Sequence, residues 1–185
     1  GRHHRFAASV SALMEHLYCE WPDYDRLCEH LALQVHRSGW EFDEIVCLAR
    51  GGMRVGDVLS RIFRKPLGVL FTSSYREQGG TEQGALRIGE QIAATAALTG
   101  PRLLLVDDLV DTGLTFVALL PEIKRRFPQF TEVRTAVIWQ KASSQFHPDY
   151  VAERLVGDPW VHQPFEKYDR TLPTDLPRSD LPRSN

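Results

Sequence analysis

Apolar runs of strand length recur along this chain at 44–50 (EIVCLAR), 67–75 (LGVLFTSSY), 102–107 (RLLLVD) and 133–139 (VRTAVIW). Helical patterns fall between them, at about 54–64 and 114–127. Strands this apolar are buried on both faces, and strands alternating with helices give a parallel sheet covered on both sides. The expected fold class is therefore α/β, with a central parallel sheet and helices on both faces. Pro121 lies inside the second helical pattern and predicts a kink or a break there. Ligands of such folds sit at the carboxyl ends of the strands, which is where chemistry is expected.

Two further helices are predicted upstream. Residues 6–18 place Phe6, Val10, Leu13, Met14 and Leu17 at spacings of three and four, as a short amphipathic helix does. The next starts near Pro22, has Asp23 and Asp25 at its positive end and Leu27, Leu31, Leu33 and Val35 as its apolar residues, and stops at Gly39.

With 185 residues, 43% of them hydrophobic and 25% charged, the chain is the size of one domain with a real core. A formal net charge of -2 gives no general attraction to nucleic acid or anionic membrane, so neither is expected as a partner. No run approaches the roughly 18 apolar residues of a membrane span, and residues 1–16 lack a signal-peptide core, which makes a cytoplasmic protein the expectation. Cys19, Cys28 and Cys47 are odd in number and lack C-x-x-C spacing, so they read as reduced structural thiols. The paired His3 and His4 read as a disordered start, not a metal site.

The segment RLLLVDDLVDTGLTF, 102–116, concentrates carboxylates where a buried strand ends. Read as strand end, loop and helix start, it aims the free amides of Asp111 to Thr115, with the Thr112 and Thr115 hydroxyls, into an anion cradle at a helix N-terminus. Gly113 allows the close backbone approach a phosphate needs, and Leu114 contributes only its backbone. Asp107 and Asp108 would repel a phosphate, but suit a vicinal diol or a hard cation, held directly or through water. A phosphate beside a diol describes a ribose 5-phosphate. Asp111 is then placed to handle a proton.

This segment resembles the phosphoribosyl-pyrophosphate motif of the type I phosphoribosyltransferases: apolar residues, an acidic pair, two apolar residues, then Asp-Thr-Gly-x-Thr. The resemblance spans about residues 17–168. It implies a single phosphoribosyltransferase domain with a small base-binding hood at about 141–168, between an N-terminal extension (1–16) and an extended or disordered tail (169–185). It further implies phosphoribosyl pyrophosphate and a purine base as partners, Mg2+ as cofactor near Asp107 and Asp108, and a homo-oligomer, dimer or tetramer. Arg50, Gly51 and Gly52 look like the family's pyrophosphate loop. A nucleotide-binding P-loop is excluded on the same residues, because Asp57 stands where that motif needs lysine. Ser74 and Tyr75, opening a glycine-rich stretch, resemble the flexible loop that closes over pyrophosphate, and Arg87 falls where relatives carry a basic residue.

The last third is similar to the 6-oxopurine branch, which covers hypoxanthine, guanine and xanthine. Lys141 donates only, so it suits a 6-oxo group and opposes the 6-amino group of adenine. Trp160 offers a stacking face, the Val161 carbonyl an acceptor for the purine edge, and Glu166 completes the base-binding set. Phe165-Glu166 stands where bacterial xanthine-guanine enzymes have Trp-Asp, which leaves the choice at the purine 2-position open. Another base, or a phosphoribosyl-pyrophosphate-sensing regulator on the same fold, remains the alternative reading.

Overall fold

The computed structural model describes residues 15–74 and 86–177. In chain order these form β1 (His16–Tyr18), α1 (Trp21–Arg37), β2 (Glu44–Ala49), α2 (Met53–Phe63), β3 (Leu67–Ser74), β4 (Leu86–Ile88), β5 (Ala93–Ala94), β6 (Arg102–Val110), α3 (Leu114–Arg126), β7 (Glu132–Gln140), β8 (Tyr150–Arg154) and β9 (Trp160–His162). Short 3-10 helices follow at Glu166–Arg170 and Pro173–Asp175.

The main sheet runs β4-β3-β2-β6-β7-β8, with β5 paired to β3. β3, β2, β6, β7 and β8 are mutually parallel, while β4 and β5 join antiparallel at the β3 edge. Every residue of β2 is buried, as a strand covered on both faces requires. Alternation along β6 explains the two layers. Leu104 and Val106 pack with Cys28, Leu31 and Val35 of α1 and Val55 and Leu59 of α2. Leu103 and Leu105 pack with Phe116, Leu119 and Ile123 of α3 on the other face. The fold class expected from the sequence is the one observed.

The order of pairing fixes where a ligand can enter. β2 lies between β3 and β6, so the chain builds outward in one direction after β2 and in the other from β6 onward. The loops leaving β2 and β6 therefore diverge to opposite faces and leave a crevice between their carboxyl ends.

Four expectations need correction. Residues 16–18 are strand, not helix, because His16, Leu17 and Tyr18 pair in parallel with Trp160, Val161 and His162; residues 6–14 of the predicted 6–18 helix lie outside the described residues. His16 Nδ1 and His162 Nε2 meet at 2.8 Å, and the Tyr18 and His162 rings stack at 4.5 Å. In α1 the buried residues are Tyr24, Cys28, Leu31, Ala32 and Val35, whereas Leu33 is exposed, lying two residues (about 200°) round the helix from Leu31. Pro121 does not break α3, which continues from Leu114 to Arg126; the carbonyl that loses its partner belongs to exposed Val117. The predicted strand at 102–107 extends to Val110, because pairing with β7 continues to Val110 opposite Gln140. In addition, β8, inside the segment assigned to the hood, is an edge strand of the main sheet, and the tail begins with ordered 3-10 turns.

The three cysteines are free and buried. Burial pushes the thiols up, to about 11 for Cys19, about 12 for Cys28 and about 11 for Cys47. Thiolate is then scarce at neutral pH. The folded protein at pH 8 is expected to resist a thiol-labelling disulfide reagent over the time in which the protein in guanidinium reacts fully; fast labelling of the native chain would contradict this burial.

Candidate active site

Two turns meet in the β2/β6 crevice. β2 ends at Ala49 and the chain passes through Arg50, Gly51 and Gly52 into α2. The Ala49–Arg50 peptide is cis. A Cβ on Gly52 would stand 2.8 Å from the carbonyl oxygens of Leu48 and Val106 and 3.1 Å from the Cα of Asp107. On Gly51 it would stand 2.5 Å from Asp108 Oδ2. Only glycine lets this turn lie against the acidic pair. Met53 and the α2 N-terminus follow without a side-chain cap; the Gly52 and Met53 amides donate to the Leu48 and Arg50 carbonyls at 2.8 and 3.1 Å, and the positive end of the helix points into the crevice.

Asp107 and Asp108 lie within β6, not in the loop after it. Asp107 Oδ1 accepts from the Asp108 amide at 2.9 Å, and Asp108 Oδ1 from the Leu109 amide at 2.7 Å. Asp108 Oδ2 accepts a third bond, 2.6 Å from Gln163 Nε2. Burial, and after it the charge of Asp108, holds the Asp107 carboxyl well above the usual carboxylate range. Two adjacent carboxylates in poor solvent favour one proton between them.

The turn after β6 carries Asp111 and Thr112, both exposed, into Gly113 with φ 88°. A Cβ on Gly113 would stand 2.6 Å from that of Phe146, so the turn is backed directly by the 144–146 segment. The Gln145 amide donates to the Thr112 carbonyl at 2.9 Å, which fixes the turn from behind. Thr112 Oγ1 accepts from the Leu114 amide at 3.3 Å. Leu114 and Thr115 open α3, whose first turn has no side-chain cap. The turn and the start of α3 thus lie together at the end of β6, with the Leu114 amide held by Thr112 Oγ1.

Lys141 follows β7, and its side chain is 9% exposed. Its Nζ lies 3.4 Å from Asp111 Oδ2 and 5.9 Å from the centre of the Trp160 ring. Trp160 is half exposed on β9, so it offers a free ring face, whereas Val161 is buried. Glu166 is half buried at the start of its 3-10 helix. Arg50 is exposed and approaches Asp169 at 3.9 Å, a weak surface pair. Ser74 ends β3 opposite Leu86, Arg87 lies on β4 opposite Ser73, and Tyr75 falls outside the described residues. The structure thus gathers the acidic pair with Gly51 and Gly52, and Asp111 with Lys141 and Trp160.

Sequence reasoning missed two contacts of the hood segment. Gln163, to which no role was assigned, reaches Asp108 across 55 residues. Arg54 of α2 lays its guanidinium 4.1 Å from the Phe165 ring centre, a cation–π contact that ties the same segment to the first turn of α2. No local pattern announces either one.

The acidic pair suits a divalent cation of the hard, oxygen-preferring kind. Among the described residues no group of three or more metal-ligating side chains occurs, so further oxygens would come from substrate and water, as magnesium commonly accepts.

A family model described as phosphoribosyl transferase domain matches residues 18–170, and the chain belongs to that family. It is 28% identical over 154 residues to a xanthine-guanine phosphoribosyltransferase of Idiomarina loihiensis, an alignment that covers 82% of this chain and 87% of that protein. The fold is similar to the xanthine-guanine-hypoxanthine phosphoribosyltransferase of Helicobacter pylori, with TM-score 0.67 and 25% identity over 84% of this chain and 96% of that one. It is also 26% identical to phosphoribosyltransferase domain-containing protein 1 of Xenopus laevis over 57% of this chain, and spans about half (51%) of that protein's length. Among the described residues no helix is long and apolar enough to cross a membrane.

Two substitutions separate strain from electrostatics. Gly52→Ala drives a methyl into backbone carbonyls that cannot move aside, and a loss of roughly 1–3 kcal/mol in denaturant unfolding is expected. Asp107→Asn acts in the opposite direction. A folded carboxyl pKa above the unfolded value contributes stability that is complete below the unfolded pKa and lost as pH rises through the folded pKa. The asparagine keeps the acceptor for the Asp108 amide and removes that loss. Its melting temperature at pH 8 should exceed wild type by about 2–4 °C, and the advantage should shrink toward pH 4; a lower melting temperature at pH 8 would contradict the assignment.

Proposed function

We propose that this chain transfers the 5-phosphoribosyl group of phosphoribosyl pyrophosphate to N9 of a 6-oxopurine, releasing pyrophosphate and forming a purine nucleoside monophosphate, a reaction of purine salvage. The observation that carries this reading is the placement of the nearly buried Lys141 ammonium between Asp111 and the Trp160 ring, beside the α3 cradle. A donor-only group there fits a 6-oxo oxygen and is mismatched to an exocyclic amine. The similarity to the Idiomarina and Helicobacter enzymes supports the same branch.

In this mechanism the amides of Asp111 to Thr115 and the Thr112 and Thr115 hydroxyls hold the 5-phosphate. Asp107 and Asp108 accept the ribose hydroxyls. Arg50 and the Gly51 amide serve the pyrophosphate, while the Gly52 amide, bonded to the Leu48 carbonyl at 2.8 Å, holds the turn in shape; Ser74, Tyr75 and Arg87 are assigned to the same group by their resemblance to the family's loop. Trp160 stacks on the base while the Val161 carbonyl and Glu166 face its 2-position edge. The bond from C1′ to pyrophosphate oxygen breaks as the bond from C1′ to N9 forms, and Asp111 takes the proton the purine gives up. The 3.4 Å approach of Lys141 keeps the Asp111 carboxylate aimed until the base arrives. Magnesium, held by Asp107 and Asp108 directly or through water, would neutralise charge on the departing pyrophosphate.

Pyrophosphate release measured with guanine, xanthine, hypoxanthine, adenine, orotate and uracil tests the reading. Turnover is expected with one or more of the three 6-oxopurines and not with the other bases; turnover only with adenine or a pyrimidine would sink the base assignment. Asp111→Asn should lower kcat by on the order of 10² to 10⁴ while titration calorimetry still shows phosphoribosyl pyrophosphate binding. Near-normal kcat would refute the proton role.

A further inference from the structure

Gln163 follows directly on the strand that carries Trp160 and Val161, yet its side chain ends on the sugar-side carboxylate. Its Nε2 donates to Asp108 Oδ2 at 2.6 Å, and the residue is only 7% exposed. The orientation of the amide follows from that contact, because the reverse would press a carbonyl oxygen against a carboxylate oxygen. The Oε1 atom is buried and has no hydrogen-bond partner. A buried unpaired carbonyl costs stability, so something other than stability has to account for this amide.

The surroundings of Asp108 supply that account. Its Oδ1 is fixed by the Leu109 amide at 2.7 Å. On the other side, the space that a Cβ of Gly51 would fill is taken by the carboxylate, with Oδ2 2.5 Å from that position. Gln163 is held in turn, its carbonyl accepting from the Glu166 amide at 3.1 Å, with Phe165 under the Arg54 guanidinium. The carboxylate is thus bracketed by its own strand, the Gly51 turn and the segment that carries the base platform.

We propose that Gln163 is a positioning residue for the ribose: it aims the Asp108 carboxylate at the sugar hydroxyls, and does so from the segment carrying Trp160, so that base platform and sugar acceptor keep one spacing. The role rests on the transferase reading above. Gln163 touches neither reacting atom and works through Asp108.

The test uses steady-state kinetics of the full chain with phosphoribosyl pyrophosphate and its best purine, together with thermal melts. Gln163→Met keeps the length and removes the donor. It is expected to raise KM for phosphoribosyl pyrophosphate about tenfold and to leave KM for the purine within about threefold. In the double variant with Asp108→Asn, the loss should be no larger than with Asp108→Asn alone, since a residue acting through Asp108 adds nothing once that carboxylate is gone. An unchanged KM for phosphoribosyl pyrophosphate overturns the proposal. Equal loss for both substrates with a collapsed melting temperature overturns it too, because that marks general loosening. If Gln163→Met does not fold, Gln163→Asn, one methylene short of Asp108, is read by the same criteria. Wild-type turnover in the same assay separates the two claims: its absence removes the transferase reading and the Gln163 role together, whereas turnover with an unmoved KM removes only the latter.

Discussion

Two carboxylates side by side in a poorly solvated strand repel each other, and much of this site answers to that repulsion. Asp107 relieves it by holding its proton more tightly than an ordinary carboxyl. Asp108 relieves it by accepting bonds from the Leu109 amide and Gln163. The turn at Gly51 and Gly52 then closes against the pair with no side chain in between. An arrangement of this kind is costly to an empty protein and well matched to a ligand with hydroxyls or a cation to offer, which fits the general opposition between stability and function at binding sites.

The same economy of side chains marks the anion-facing parts. Neither α2 nor α3 begins with a capping side chain, though such caps are the usual way of satisfying first-turn amides. Two helix starts without N-cap side chains, one on each side of the β2/β6 crevice, turn their positive ends toward it and suit a substrate with phosphate groups at both ends. The side chains that do enter the site serve selection. Lys141 follows β7, the neighbour of β6, Trp160 lies on the separate β1–β9 ribbon, and the two meet only through tertiary packing.

The layered core was legible in the sequence because it depends on local pattern. β2, β6 and β7 are apolar without alternation, and α2 and α3 follow the period of a helix. The acidic cluster with Thr112 and Gly113 was legible for a chemical reason, since no core or cap requires Asp107 and Asp108 together. Lys141 and Trp160 gained meaning only through resemblance; alone, a lysine after a strand and a tryptophan near a turn carry no function. What escaped was non-local. Residues 16–18 look helical by spacing and become strand because Trp160–His162 offers a ladder. β6 outlasts its apolar run because β7 pairs alongside. Gln163 has no pattern at all, only a partner 55 residues away.

The β1–β9 ribbon also bears on the order of assembly. From β2 to α3 the phosphate turns and the acidic pair come from one continuous stretch of chain, whereas the strand with Trp160 is completed by residues 146 positions earlier, as the His16–His162 contact shows. Closing so long a loop is slow relative to local pairing. During synthesis the stretch with the acidic pair is complete in sequence well before the strand with Trp160, and β1 waits unpaired until that strand has been made. The Trp160 platform is thus the last part of the crevice to take shape as the chain folds.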